Sequence, residues 1–291
     1  MKLCTGSYSF SQYLLAGKMD VFDCVDKAAE MGFAGIEIES INLPGEAQEE
    51  RLENAAKVRA RAETVGIELT AYTVSANLNQ PTAELFEVEI ARLRDKVDVA
   101  AALGAKLMRH DVCWNYSKTG KGRSFDMMLP TLADGARRTA EYAAQKGIIT
   151  CSENHGRITQ DSDRMERLFS AVAHDNYGLL VDVGNFTGVG ERPCDAVSRL
   201  APYAVHVHLK DRIIREEPFD GGRMTRNGSY TKPICVGEGD VNIKRCLAIL
   251  KAAGYAGVLS LEIEGDEDCI ECMRRSAENV RRMLAELEWT E

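Results

Sequence analysis

The sequence has little histidine: five residues in 291. That leaves few imidazoles for a centre holding several zinc ions. It has no run approaching about 18 uncharged apolar residues, so no membrane span is expected. The N-terminal stretch MKLCTGSYSF turns polar at once and lacks the apolar core of a signal peptide. A basic excess is also missing. Lys and Arg total 36 against 45 Asp and Glu, a formal charge of −9. Nucleic-acid binders gain affinity by neutralising phosphates, so nucleic acid is not expected as a partner. There is one CxxC, Cys269-Ile-Glu-Cys272, in a stretch of helical composition, with no second pair to complete a zinc site. Nine cysteines without an export signal suggest reduced thiols and a cytoplasmic location. The turn after the first apolar run, CTGSYSFS, is not the GxGxxG of a dinucleotide fold.

What is present is alternation. The chain is 45% hydrophobic and 28% charged, enough for a large core and a soluble surface. Short β-rich runs fall at 2–8, 34–40, 67–74, 105–111, 148–154, 177–185, 205–211 and 258–264. Helical stretches separate them, for example 47–66 and 86–104. Gly32, Gly66, Gly104, Gly147 and Gly254 each stand just before a strand run, where glycine ends a helix in the left-handed conformation. Eight strand–helix units without a linker or composition break predict a single (β/α)8 TIM barrel over 1–291. The longest irregular segment is 212–239, after the seventh strand.

Barrel active sites lie at the C-terminal strand ends. Strand five ends with Glu153, Asn154 and His155, and strand six with Asp182 and Asn185. Strand seven is VHVHLKD, and strand eight ends with Glu262 and Glu264. Because side chains alternate along a strand, His206, His208 and Lys210 share one face. One histidine is expected to be a ligand and the other its buried neighbour. Glu153, Asp182, His208 and Glu262 make an oxygen-rich set with one imidazole. Such a set suits one divalent metal ion: Mn²⁺ first, then Mg²⁺, Co²⁺ or Zn²⁺. Strand four offers Arg109 or His110 to the interior, with Arg109 favoured as an anion or hydroxyl contact. Trp114 is either a sugar-stacking wall or half-buried loop packing. His155 either orients or protonates a substrate, or caps its turn. Lys210 meets either a substrate oxygen or one of the carboxylates. Arg212, Arg215, Arg223 and Arg226 in the long segment meet either a phosphate or carboxylate, or the neighbouring Glu216, Glu217 and Asp220.

The stretches SENHG, LLVDVGNF, HVHLKD, VGEGDVNI and GYAGVLSLEIEG resemble the sugar phosphate isomerase/epimerase family, the xylose isomerase-like barrels. The resemblance spans essentially the whole chain. It implies a single metal held by Glu153, Asp182, His208 and Glu262, with Glu153 and Glu262 also moving the substrate proton. It implies a small carbohydrate substrate and, as in relatives, a homodimer or homotetramer. Related ketose 3-epimerases carry a histidine where this chain has Asn185, which argues against a free-ketohexose epimerase. The chemistry expected is α-proton abstraction next to a carbonyl through an enediolate. Return of the proton gives an isomerase or epimerase of a small keto-sugar, sugar phosphate or related polyol, the reading expected first; the alternative is loss of a β-leaving group by a dehydratase or lyase acting on a keto-inositol, dehydroshikimate or a 3-keto-glycoside. Abasic-site endonucleases share the barrel but need more histidine than is available. A binding protein that had lost its chemistry would not be expected to keep a complete ligand set.

Overall fold

The structure is a computed structural model that describes residues 1–116 and 120–289; the other positions of the expected 1–291 domain lie outside the described residues. Eight parallel strands close into a barrel. They are β1 (Leu3–Gly6), β2 (Gly35–Glu39), β3 (Glu68–Val74), β4 (Leu107–His110), β5 (Ile149–Glu153), β6 (Tyr177–Asp182), β7 (Ala204–Leu209) and, after three strands outside the barrel, β11 (Leu259–Leu261). Each falls inside a run read from the sequence, except that β7 begins one residue before its run. The expected helices are present as Gln48–Val65 and Ala83–Leu103. All five helix-ending glycines adopt positive φ, from 70° to 77°, so each does what its position requires.

Strand alternation sorts the side chains. Ile36 and Ile38 of β2 are fully buried in the large cluster between barrel and helices. On the other face, Ala71, Leu107, Cys151 and Leu180 form a separate small cluster inside the barrel. Two residues further along three of these strands stand Arg109, Glu153 and Asp182, all buried. A pleated strand returns to the same face every second residue. A hydrophobic layer thus floors a charged layer at the C-terminal rim. Register sets the height of that layer: Asp182 pairs with His208, and His208 with Ser260. Glu262, two residues beyond Ser260, then follows on the same face.

The segment expected to be irregular, 212–239, is not. It contributes to a three-stranded antiparallel sheet, β8 (Asp211–Arg215), β9 (Arg223–Met224) and β10 (Tyr230–Ile234), in the order β8-β10-β9. Its strands are short and charged, so no apolar alternation marked them in the sequence. Asp211 ties the sheet to the barrel. Its carboxylate accepts from the backbone N–H groups of Arg212, Gly237, Gly239 and Val241 at 2.8–3.1 Å. From the sequence, Gly237, Gly239 and Asp240 read as the return turn and N-cap of the next helix; the cap is Asn242. Asp240 accepts instead from the Ile214 N–H at 2.7 Å and pairs with Arg215.

The expectation of uniformly reduced thiols is corrected at one place. Cys272 is bonded to Cys235, across a sequence separation of 37, while Cys269 is a buried free thiol. The helix period turns Cys269 and Cys272 of the CxxC to different neighbours, so spacing could not reveal a partner at the end of β10. Among the described residues, no helix is long and apolar enough to cross a membrane.

Candidate active site

The four residues proposed as ligands converge. Glu153, Asp182, His208 and Glu262 each offer one ligand atom, and these atoms lie within 4.8 Å of one another. The backbone explains why. Asn154, on the opposite face of β5 from the barrel, exchanges hydrogen bonds with the Asp182 backbone at 2.7 and 2.9 Å. This locks β5 and β6 at the rim. Asp182 Oδ1 accepts from the N–H groups of Gly184 and Asn185 at 2.8 and 2.9 Å, holding its own turn. A Cβ at Gly184 would sit 2.6 Å from the Lys210 carbonyl oxygen, so only glycine fits there. Asp182 Oδ2 is left buried without a hydrogen bond and aims into the site.

Charges fill the space around that atom. The Lys210 ammonium lies 3.2 Å from Asp182 Oδ2 and 3.1 Å from both Glu262 Oε2 and Glu264 Oε1. Burial alone would lower its pKa, but these three carboxylates raise it well above its ordinary value. Asp182 goes the other way: burial lifts it to about 6 although Lys210 opposes the rise. Burial would also raise Glu262, but Lys210 and His208 hold it well below the usual carboxylate range. Glu153 Oε2 receives Arg109 at 2.6 Å, and Oε1 accepts from Asn185 Nδ2 at 2.8 Å. Arg109 faces the barrel interior, as expected from strand four, and stays charged because Asp111 and Glu153 outweigh its burial.

The set fits a divalent cation. Three carboxylates and one imidazole are hard donors suited to Mn²⁺, Mg²⁺, Co²⁺ or Zn²⁺. Asp182 Oδ2 makes no hydrogen bond and has only the Lys210 ammonium beside it, at 3.2 Å, so it is free to serve as a ligand. In the structure the Lys210 ammonium supplies the positive charge that this cluster needs.

Sequence reasoning missed Glu37. The strand GIEIE puts Glu37 and Glu39 on the interior face, and two acids in a buried strand were the available signal. Glu37 is buried beneath the two histidines. Its Oε2 is 3.0 Å from His208 Nε2. Its Oε1 is 3.0 Å from His206 Nε2, a close contact without hydrogen-bond alignment. Burial would raise Glu37, yet the two imidazoles hold it well below the usual range. His208 Nδ1 in turn lies 2.9 Å from Glu262 Oε2. Despite burial, Glu37 and Glu262 raise the His208 pKa well above its ordinary value. Glu37 thus fixes the His208 ring so that Nδ1 faces the ligand set. His206 is the buried neighbour. Glu39, at the end of β2, is pushed by burial to about 7 against the pull of Arg109.

Above this layer opens a cavity of about 440 Å³, with Lys210 and Asn185 among its lining residues and His155 and Trp114 on its wall. His155 Nδ1 lies 3.0 Å from Asp111 Oδ1. Burial lowers the His155 pKa, but the bond to Asp111 and the Glu153 charge outweigh it and raise it above its ordinary value. Trp114 packs edge-on against His155 at 4.9 Å between ring centroids and is 38% exposed. Each residue named from the sequence for this site is therefore at the rim.

Two other clusters could be mistaken for metal sites. In Glu37, His206 and His208 the carboxylate is already engaged by His208 Nε2 at 3.0 Å, with His206 Nε2 equally close. Cys235, Glu267 and Cys272 are closed by the bond between the cysteines and by Arg275, which pairs with Glu267.

Known proteins agree with this architecture. Full-length relatives include inosose dehydratases. That of Geobacillus thermodenitrificans (strain NG80-2) is 26% identical over 273 residues, 87% of this chain and 85% of the relative. That of Clostridium perfringens (strain 13 / Type A) is 25% identical, covering 86% and 84%. Among solved structures, D-psicose 3-epimerase with D-tagatose from Clostridium cellulolyticum H10 superposes with a TM-score of 0.77 at 18% identity, covering 98% of this chain and 99% of that one. The IolI protein with a bound zinc atom gives 0.76 at 16% identity, covering 99% of each. These structural likenesses establish the fold alone. The sequence model described as "Xylose isomerase-like TIM barrel" matches residues 25–291, and the chain belongs to that family.

Proposed function

We propose that this protein is a metal-dependent enzyme that removes the proton α to the carbonyl of a small keto-polyol and then expels a β-hydroxyl as water. The observation that carries the reading is the combination of two rim carboxylates, Glu153 and Glu262, with a third proton-handling group, the Asp111–His155 pair, on the wall of the cavity above them. The inosose dehydratases matched over most of this chain support the dehydratase outcome; inosose is a keto-inositol.

Glu153, Asp182, His208 and Glu262 would hold the cation. A divalent cation bound there supplies Lewis acidity toward the substrate carbonyl. The remaining work belongs to side chains. Lys210 and Arg109 present positive charge where the enolate oxygen develops negative charge. Glu262, kept ionised by Lys210 and His208, is competent as a base. Glu153, clamped by Arg109 and Asn185, is the second carboxylate and faces the other side of the substrate carbon. His155 donates a proton to the departing β-hydroxyl, so the C–O bond breaks, water leaves and a carbon–carbon double bond forms. Asp111 holds the imidazole in its protonated form.

Isomerase or epimerase chemistry is the second reading. The two-carboxylate arrangement and the fold shared with D-psicose 3-epimerase favour it. The test is to incubate Mn²⁺-loaded protein with 2-keto-myo-inositol in D₂O. Loss of water with appearance of an enone absorbance is expected. Deuterium incorporation without loss of water would select the epimerase reading, and no exchange with any keto-polyol would refute both.

A further inference from the structure

Four arginines of the segment after β7 stand out in the sequence, and the structure separates them. Arg212 pairs with Glu264 at 2.6 Å, Arg215 with Asp240 at 2.8 Å and Arg226 with Asp161 at 2.8 Å. Arg223 has no ion-pair or hydrogen-bond partner for its guanidinium among the described residues, yet it lines the cavity above Lys210. A second arginine of the same cavity is Arg157, in the turn after β5. It lines that cavity and is likewise unpaired among the described residues.

The turn that presents Arg157 is built at a cost. Gly156 and Arg157 are both left-handed, with φ of 76° and 66°. Glycine tolerates this; arginine does so only against strain of about 1–3 kcal/mol. The surroundings enforce it. The Arg157 N–H donates to Gln160 Oε1 at 2.9 Å, and its carbonyl accepts from the Arg226 guanidinium. Arg226 reaches this turn from the β9–β10 connection, so the small sheet and the β5 turn are tied together. The tie brings Arg223, on β9, and Arg157 to one cavity. Two unpaired cations in a cavity of a protein with formal charge −9 make a local field opposite to that of the whole molecule.

We propose that Arg157 and Arg223 form an oxyanion subsite at the mouth of the barrel, and that the substrate carries a carboxylate or phosphate in addition to its ketone. The inference rests on reading this cavity as the substrate site. Planar guanidinium groups pair with both oxyanions through two parallel N–H bonds. The reacting carbon sits at Lys210 and the ligand set; the anionic end points toward the small sheet.

The test is calorimetric binding of three unreactive polyols to Mn²⁺-loaded protein: shikimate for a carboxylate, glucose 6-phosphate for a phosphate, and myo-inositol as the neutral probe. One anionic probe should bind about tenfold or more tightly than myo-inositol, and which one identifies the oxyanion. Arg157→Gln and Arg223→Gln should each lower that preference about tenfold, while Arg215→Gln leaves it intact. A preference near unity, no binding of either anion at millimolar concentration, or an unchanged preference in both cavity variants would overturn the subsite. Proton exchange on neutral 2-keto-myo-inositol is followed in parallel. If exchange persists while the preference is absent, only the subsite fails; if the preference holds but neither 2-keto-myo-inositol nor the anionic 3-dehydroshikimate exchanges, the proposed reaction fails and the subsite stands.

Discussion

Replacing Glu37 by Gln tests whether the His208 ring is held for metal binding by a residue that never touches the metal. The substitution keeps shape and removes one buried negative charge. Glu37 has a low pKa and His208 a raised one, so both are charged at pH 7 in the metal-free protein. The lowered carboxylate contributes stability above its unfolded pKa; the raised imidazole contributes it below the folded His208 value. The pair is therefore intact at neutral pH. Breaking a buried pair from one side costs roughly 3–5 kcal/mol. The amide can still accept one hydrogen bond, so about 2–3 kcal/mol of lost stability is expected. Mutating the group that orients a metal-binding histidine typically lowers affinity about 10–100-fold. At about 1.4 kcal/mol per decade this is roughly 1.4–2.8 kcal/mol of binding free energy. Mn²⁺ titration calorimetry reads the affinity, and thermal unfolding of metal-free protein reads the stability. One equivalent should still bind, more weakly, and Glu37→Asp should restore part of the affinity. Unchanged Mn²⁺ affinity with an unchanged unfolding curve would show that Glu37 positions nothing.

Three further outcomes follow from the same geometry. Glu153→Gln and Glu262→Gln should each reduce α-proton exchange by at least about a hundredfold; full exchange in either variant, measured by NMR in D₂O, would remove that residue from proton transfer. Metal uptake should release protons, because Asp182 titrates near 6 and His208 well above its ordinary value before the metal arrives. Affinity should therefore rise as pH increases through about 6, where Asp182 titrates, and keep rising toward the raised His208 value, and calorimetry showing a flat profile would contradict the assigned ligands. Thiol titration of unfolded, unreduced protein should find the seven free cysteines and not all nine. The Cys235–Cys272 bond closes a 37-residue separation, so reduction should destabilise the fold by about 3–4 kcal/mol; an identical unfolding curve would argue that the bond is not formed in solution.

The barrel was legible because its strands and helices differ in hydrophobic period and its helices end in glycine at regular places. The ligand set was legible for a related reason: a metal-capable side chain, carboxylate or imidazole, recurs at the same height on four neighbouring barrel strands. Glu37 was not, since an acid in β2 is separated from the histidines by 169 positions or more in the chain, and only barrel closure joins β2 through β1 and β11 to β7. The small sheet was missed because its strands hydrogen-bond to one another without a hydrophobic face of their own. Arg157 carries no sequence signal at all. Its significance lies in a left-handed φ and a side chain without a partner among the described residues, which are facts of the folded turn. The arginines after β7 were visible as a group, but which of them has an acidic partner is decided by the segments after β5, β10 and β11.

The most direct measurement is the metal content of purified protein reloaded in turn with Mn²⁺, Mg²⁺, Co²⁺ and Zn²⁺, alongside His208→Ala and His206→Ala variants. The account predicts about one equivalent of at least one of these ions, lost in His208→Ala and kept in His206→Ala. No bound metal, or equal loss in both variants, would contradict the assignment of Glu153, Asp182, His208 and Glu262 as the centre of the active site.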